Sequence, residues 1–280
     1  MSITWYPIKE RALLKVSGKD ALRFLNGQLT NDIKSLDCDH SMLAGLLNAK
    51  GKFVSELWVR RIDGAFIIDI SSSDRDAVHR RLENFIVADD VSIEPYSEDW
   101  RGYYVVGESI VKNMSDTLFY SYRWGISGYE IWSDAPISFL QREAELSDHD
   151  VLVRRVEKGI AEWRTDFDET YFPQEAGWNE NYGLHFHKGC YIGQEIVSRL
   201  QHVGHVNRQV KRLICLDRLS EGDGSYLVSR RLSCNGQEIA TMTSLVYSQR
   251  YQAWIGLATI PRAYWEQRLD LDETQWEVMK

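Results

Sequence analysis

The dipeptide Asp63-Gly64 constrains this chain more tightly than any other feature. It separates residues 52–60 (KFVSELWVR), whose alternation puts Phe53, Leu57 and Val59 on one face, from a return strand over 65–70. A two-residue hairpin turn needs positive φ at both central positions, which Gly takes freely and Asp tolerates. Upstream, residues 11–17 (RALLKVS) read as a strand. Residues 17–20 (SGKD) supply capping side chains for a helix with Leu22, Leu25 and Leu29 at helical spacing. Downstream, Ser73-Asp74 caps a second helix whose apolar stripe is Val78, Leu82, Phe85 and Ile86, and residues 91–93 resume a strand. A strand, helix, paired strands, helix, strand order is the split βαβ arrangement of a ferredoxin-like layer.

More strands follow between 101 and 132, with a turn over 125–128, and then a helix over 147–161 carrying Val153, Val156 and Ile160. After about Asn207 the texture changes. Residues 210–217, 225–234, 237–248 and 252–259 read as closely spaced strands, with Asn235-Gly236 as a second hairpin. Such spacing favours a small β-barrel or sandwich. The expected class is α+β, divided into an α+β domain over 1–207 and a β-barrel over 208–280. A length of 280 residues accommodates one large or two ordinary domains.

At 44% hydrophobic and 26% charged residues, the chain can bury a core, which argues against disorder. It holds no run of about 18 uncharged apolar residues, so no membrane span is expected. The net charge of −8 argues against a general nucleic-acid binder, and no direct nucleic-acid binding is expected. The N-terminal MSITWYPIKERALLKV reads as neither a secretory nor a transit signal. Cys38, Cys190, Cys215 and Cys234 are scattered without a CxxC pair, which suits a reducing compartment, and a cytoplasmic location is expected.

The segment richest in chemistry is HKGCYIGQEIVSR, residues 187–199. Ile192, Ile196 and Leu200 have helical spacing, which puts Cys190 just before a helix N-terminus. The helix dipole and the charge of Lys188 would both favour a thiolate there. Gly189 and Gly193 would let the backbone turn sharply.

The stretch KGCYIGQE resembles the signature of the folate-binding YgfZ family, relatives of the glycine-cleavage T-protein. Further segments agree in order: FLNGQLTND (24–32), LNAKGK (47–52), RVEKGI (155–160), FPQE (172–175), Gly204 and Arg208. The resemblance implies a ring of ferredoxin-like modules around a central channel, closed by a C-terminal β-barrel. It implies tetrahydrofolate or a one-carbon derivative as cofactor, and iron–sulfur enzymes or their assembly factors as partners, tRNA-modifying enzymes included. By the same resemblance Glu157 meets the pterin ring, a sensible role because a carboxylate accepts two hydrogen bonds from a 2-aminopyrimidinone edge. Gln28, Thr30, Asn31 and Asp32, with Gln194, Glu195 and Arg199, are the further cofactor contacts it suggests. Cys190 and Lys188 are the reactive pair. Read without the resemblance, Glu157 is a solvated helix residue beside Lys158, and residues 30–32 are a helix-ending turn.

One departure bears on activity. Where the T-protein carries paired aspartates, this sequence has Ser55-Glu56, and a carboxylate on a longer arm risks a positional error of about 1 Å, worth about 100-fold in rate. Three readings follow: a folate-dependent accessory factor using Cys190, an aminomethyl- or methyltransferase with Glu56 as acid/base, and a folate-sensing adaptor needing no thiol. His185, His187, His202 and His205 cluster near Cys190 and either form a soft N/S metal site or line an anionic channel. No zinc spacing is present, and no metal is assigned.

Overall fold

In the computed structural model, which describes residues 3–97, 99–107, 117–219 and 230–279, the chain divides into two compact units. The first comprises Met1–Ser147 with Asn179–Ile196, and the second Asp148–Trp178 with Val197–Lys280. This division departs from a cut at 207/208. Helix residues from 148 onward and the segment to Trp178 join the barrel's unit, for a packing reason given below.

The first unit runs β1 (Thr4–Ile8), β2 (Arg11–Ser17), α1 (Ala21–Gln28), β3 (Met42–Leu47), β4 (Phe53–Ile62), β5 (Ala65–Ser71), α2 (Arg75–Glu83), β6 (Ser92–Pro95), β7 (Arg101–Val106), β8 (Leu118–Ser121), β9 (Gly128–Ser133) and β10 (Ala144–Glu145). Asp63 and Gly64 take φ of 50° and 79°, making the expected hairpin between β4 and β5. The first sheet has the order β3-β4-β5-β2-β6, all neighbours antiparallel. Its β4-β5-β2-β6 part is the ferredoxin-like order, and β3 is added at one edge. Phe53, Leu57 and Val59 are buried, as the alternation requires, and Leu57 and Val59 share a core with Phe24 and Leu25 of α1 and Val78 and Leu82 of α2.

The capping expectations fail in detail. The Asp20 carboxylate does not cap α1 but accepts from the Asp90 amide, and Asp74 makes no cap bond to α2. The Asp74 carboxylate accepts instead from Ser55 Oγ at 2.8 Å across the core. Leu22, one of the leucines at helical spacing, and Phe85, part of the apolar stripe of the second helix, are exposed.

A second sheet, β10-β1-β7-β9-β8, covers the other face of the first. Leu13, Ile67, Phe119 and Trp132 meet there, with a buried ionic cluster among them. Arg60 and Arg123 reach both Asp69 and Glu130, and Arg11 reaches Asp69. Arg60, Asp69 and Glu130 have no exposed surface. Buried charges persist only when paired, and each carboxylate here faces guanidinium groups.

The second unit holds α3 (Asp148–Lys158), most of α4 (Gln194–His202), β11 (Arg208–Cys215), β12 (Arg231–Cys234), β13 (Gln237–Ser248), β14 (Ala253–Pro261), β15 (Leu269–Leu271) and β16 (Thr274–Val278). The last six strands close a barrel in the order β11-β14-β13-β12-β15-β16. Asn235 and Gly236 take φ of 51° and 78° at the β12–β13 hairpin. The strand expected over 225–234 lies partly outside the described residues. Strands β15 and β16 were not anticipated, being short and interrupted by Asp272-Glu273.

Arg155 explains why α3 belongs with the barrel. Its guanidinium is buried and donates to the Ile160 carbonyl (2.9 Å), to Ser244 Oγ of β13 (2.8 Å) and to the Asp166 carboxylate. Asp166 in turn accepts from the Thr243 and Ser244 hydroxyls. Removing Arg155 would leave the Asp166 carboxylate buried without its charge partner, and removing Asp166 would leave the buried Arg155 to the more exposed Glu162 at 3.5 Å, so helix and strand are tied together. Among the described residues no helix is long and apolar enough to cross a membrane.

Candidate functional site

Residues 183–193 have no regular secondary structure, yet they are pinned to the end of α1 along their length. Thr30 Oγ1 donates to the Gly183 carbonyl at 2.6 Å, and the His185 amide donates to the Thr30 carbonyl. Lys188 Nζ donates to the carbonyls of Leu29 (2.7 Å) and Asn31, and the Ile192 amide donates to the Gly27 carbonyl. The last carbonyls of a helix lack intrahelical partners, so the C-terminal end of α1 is a natural docking point for donors. A lysine ammonium suits it further because the helix dipole is negative there.

Gly193 closes the strap. Its φ is 86°, and a Cβ there would lie 2.7 Å from the Asn48 carbonyl oxygen. Gly51, in the β3–β4 loop, also has positive φ (74°) and would place a Cβ 3.0 Å from Ile196. LNAKGK and YIGQE thus meet through two glycines whose backbones touch. Gly189 differs from the expectation, since its φ is ordinary and nothing among the described residues lies within 4 Å of its missing Cβ.

This anchoring sorts the KGCY motif by side. Lys188 and Tyr191 turn inward, with Nζ 5.3 Å from the Tyr191 ring centroid and the ring almost wholly buried. Burial lowers the Lys188 pKa to about 7, against the opposing pull of Asp32. The Tyr191 hydroxyl is buried without a hydrogen-bond partner among the described residues, and burial raises its pKa. Cys190 is exposed. The α4 helix begins only at Gln194, beyond Tyr191, Ile192 and Gly193, so Cys190 is not a helix-capping residue. The Lys188 ammonium is directed at backbone carbonyls. Both electrostatic supports expected for the thiol are therefore displaced, and what the structure supplies is a rigid, outward presentation.

The other predicted residues separate by role. Gln28 is buried and accepts from Arg81. Thr30 is fully buried, and besides its bond to Gly183 its hydroxyl accepts from the Gly45 amide. Asn31 donates to the Leu43 carbonyl and faces a cavity of about 230 Å³ that Ser41, Trp58, Tyr120, Ser121 and Tyr182 also line. Asp32 accepts from the Lys34 amide and opens a 3-10 turn. Gln194 and Glu195 begin α4, with Glu195 exposed.

Glu157 and Arg199 belong to the second unit. Glu157 Oε1 accepts from Ser248 Oγ at 2.5 Å, and the Glu157 carbonyl accepts from Arg212. Of the Ser55-Glu56 pair, Ser55 is fully buried against Asp74, while Glu56 alternates to the sheet face that carries Trp58 and Arg60. His187 lies 3.4 Å from Glu180, and its amide donates to His185 Nδ1. Among the described residues no group of three or more His, Cys, Asp or Glu side chains is placed to hold a metal ion.

No protein-family profile matches the chain. It is similar to the "Iron-sulfur cluster assembly factor IBA57 homolog, mitochondrial" of Mycosarcoma maydis, at 27% identity over 232 residues, 75% of this chain and 57% of that protein. The protein of the same name from Neurospora crassa is 23% identical over 229 residues, 72% and 52% of the two chains. The "tRNA-modifying protein YgfZ" of Sodalis glossinidius is 28% identical over 227 residues, 73% and 69%. The matches thus span little more than half the length of the two fungal relatives. Among solved structures, the glycine cleavage system aminomethyltransferase T of Bartonella henselae superposes with a TM-score of 0.78 at 16% identity, covering 100% of this chain and 85% of that one.

The chain is a homologue of the YgfZ and IBA57 proteins. Its fold is that of the T-protein aminomethyltransferase, with the closed six-stranded barrel at the C-terminal end. For a YgfZ relative, the residues that sequence reasoning missed are structural. Arg60, Asp69 and Glu130 sit in separate, unremarkable strands and Arg123 in a 3-10 turn, and the packing of the two sheets brings them together. The Arg155 anchor was legible as part of RVEKGI, but its partner Asp166 carried no signal of its own.

Proposed function

We propose that this protein is a tetrahydrofolate-binding accessory factor for the maturation or repair of iron–sulfur enzymes, tRNA-modifying enzymes among them, with Cys190 as its working thiol. The observation that carries the reading is the anchored strap: an exposed cysteine held outward between two inward-turned neighbours, in a homologue of YgfZ and IBA57. A surface thiol is open to a partner's cysteine, an iron centre or a one-carbon unit in a way that a core cysteine is not. The proposed partners are iron–sulfur enzymes or their assembly factors, and the proposed setting is cytoplasmic.

The residues present suit a folate. Glu157 is half-buried, and a carboxylate retains acceptor capacity beyond its one bond from Ser248, enough for an amino-pyrimidinone edge. Separately, Asn31 faces a cavity with an aromatic wall, while Gln28 and Thr30 are committed to the scaffold and are not proposed as ligand contacts. When bound, the folate supplies or accepts a one-carbon unit. The chain's own part is to bind and orient it and to present Cys190.

The test is complementation of cells lacking this protein with wild type, Cys190→Ser and Cys38→Ser. Iron–sulfur enzyme activity should be restored by wild type and Cys38→Ser and not by Cys190→Ser. Full restoration by Cys190→Ser would remove the thiol from the reading.

A further inference from the structure

The cavity of about 230 Å³ that Asn31 faces lies in the first unit, where the segment after α1, the approach to β3 and the end of β8 meet. The buried ionic cluster touches three of its lining residues from inside: Arg60 reaches Ser41, Arg123 lies over the Trp58 ring, and Glu130 holds Ser121. The volume is below the range of about 300–1,000 Å³ usual for whole small-molecule ligands, so it suits one ring system with the rest of the molecule outside. Among the described lining residues none is a lysine or arginine, and Asp37 is the one carboxylate. Such a lining suits a neutral group rather than a phosphate or a carboxylate.

The cluster fixes the polarity of the two hydroxyls. A guanidinium has donors only, so Ser41 Oγ accepts from Arg60 Nη2 (3.3 Å) and keeps its own proton to give. Glu130, held below the usual carboxylate range by its guanidinium neighbours, has acceptors only. Ser121 Oγ therefore donates to it (2.8 Å) and keeps its lone pairs to accept. Both serines are buried, and they are neighbours: the Ser41 amide donates to the Tyr120 carbonyl at 2.8 Å, and His40 pairs with Tyr120 in parallel. The Arg123 guanidinium carbon lies 4.5 Å from the Trp58 ring centroid and is itself tied to Asp69 and Glu130, which fixes the plane of the indole.

One buried donor and one buried acceptor on adjacent residues, beside a fixed aromatic ring, complement a planar lactam, in which a carbonyl and an N–H occupy neighbouring ring positions. We propose that this cavity recognises one planar lactam ring, with Ser41 donating to the ring carbonyl, Ser121 accepting from the ring N–H and Trp58 packed against the ring. Arg60 and Glu130 are then positioning residues, which act by setting which way each hydroxyl faces. The pterin of a folate and the pyrimidinone or purinone base of a nucleoside both carry this edge. Glu157 plays no part in it, so a failure of tetrahydrofolate binding through Glu157 would leave this site intact.

The test is calorimetric titration of the full chain with uridine, with pterin and with the 3-methyl form of each, which keeps the ring and its carbonyl but lacks the N–H. It is repeated on Ser121→Ala and Ser41→Ala. Glu130 keeps the donors of Arg60, Arg123 and Trp132 when Ser121 is changed, so that variant should melt close to wild type. In wild type at least one lactam should saturate at millimolar concentration or below, with its methylated form at least tenfold weaker, because a site built around a buried acceptor rejects a ring that cannot donate. Ser121→Ala should bring the two forms to about equal affinity, whereas a loss of structure would abolish binding of both. Ser41→Ala should weaken the lactam tenfold or more and leave the methylation penalty in place. Whichever of pterin and uridine binds more tightly names the source of the ring. No saturation by either lactam at millimolar concentration, or a methylation penalty undiminished in Ser121→Ala, would overturn the proposal.

Discussion

Cys190 and Cys38 are exposed, while Cys215 and Cys234 are buried in the barrel. In native protein, two thiols should therefore react rapidly with a disulfide reagent and two only on unfolding. Cys190→Ser should reduce the rapid set to one, and rapid reaction of all four would contradict the barrel's closure. Lys188 gives a second residue-level outcome. Its folded pKa of about 7 lies below the ordinary lysine value of about 10.4, so between these limits the unfolded chain holds a proton that the folded chain has released. Stability then rises with pH across that window, and the burial penalty is fully present below it. Urea denaturation between pH 7 and 10 should show wild type gaining on Lys188→Met; parallel curves would place the amine in water. The sequence marked Lys188 and Cys190 as a pair but not that they face opposite ways, because that depends on carbonyls of α1 that are remote in sequence.

At the scale of elements, the strap and the ionic cluster make separate demands. Gly193→Ala combines a positive φ with a backbone oxygen 2.7 Å from the new Cβ, and should cost about 1 kcal/mol or more. Gly189→Ala, with ordinary φ and open space, should be nearly neutral. A thermal melt of both variants checks the contrast, and equal losses would mean that the strap is not held as described. In the cluster, Glu130→Gln leaves Arg60 and Arg123 short of a charge and should cost about 3–5 kcal/mol by urea unfolding. The surrounding guanidinium groups hold Asp69 and Glu130 below the usual carboxylate range despite the desolvation that opposes them. Their contribution is therefore complete above about pH 4 and is lost as pH falls through the depressed folded values. The hairpins at Asp63-Gly64 and Asn235-Gly236 and the ferredoxin-like order were legible because they follow from local turn chemistry and alternation. The cluster was not, since Arg60 reads as the polar end of an alternating strand and its partners lie across two sheets.

For the whole molecule, the strand–helix order and the texture change near Asn207 gave the fold class, and the T-protein fold follows with a TM-score of 0.78. The unit boundary was not legible. RVEKGI looks like a continuation of the α+β part, and α3 is assigned to the barrel by contacts remote in sequence, those of Arg155 with Asp166 and Ser244 and of Glu157 with Ser248 and Arg212. The same anchor holds Glu157 on α3 beside Ser248 on β13, where the proposed ring-edge contact is made by a helix that cannot shift without breaking a buried ion pair. The central claim is that this fold holds tetrahydrofolate, and its most direct test is an anaerobic calorimetric titration of tetrahydrofolate into wild type and Glu157→Ala. Saturable binding to wild type, weakened at least tenfold in the variant, is the expected result. No binding to wild type, or equal binding by both proteins, would contradict the claim.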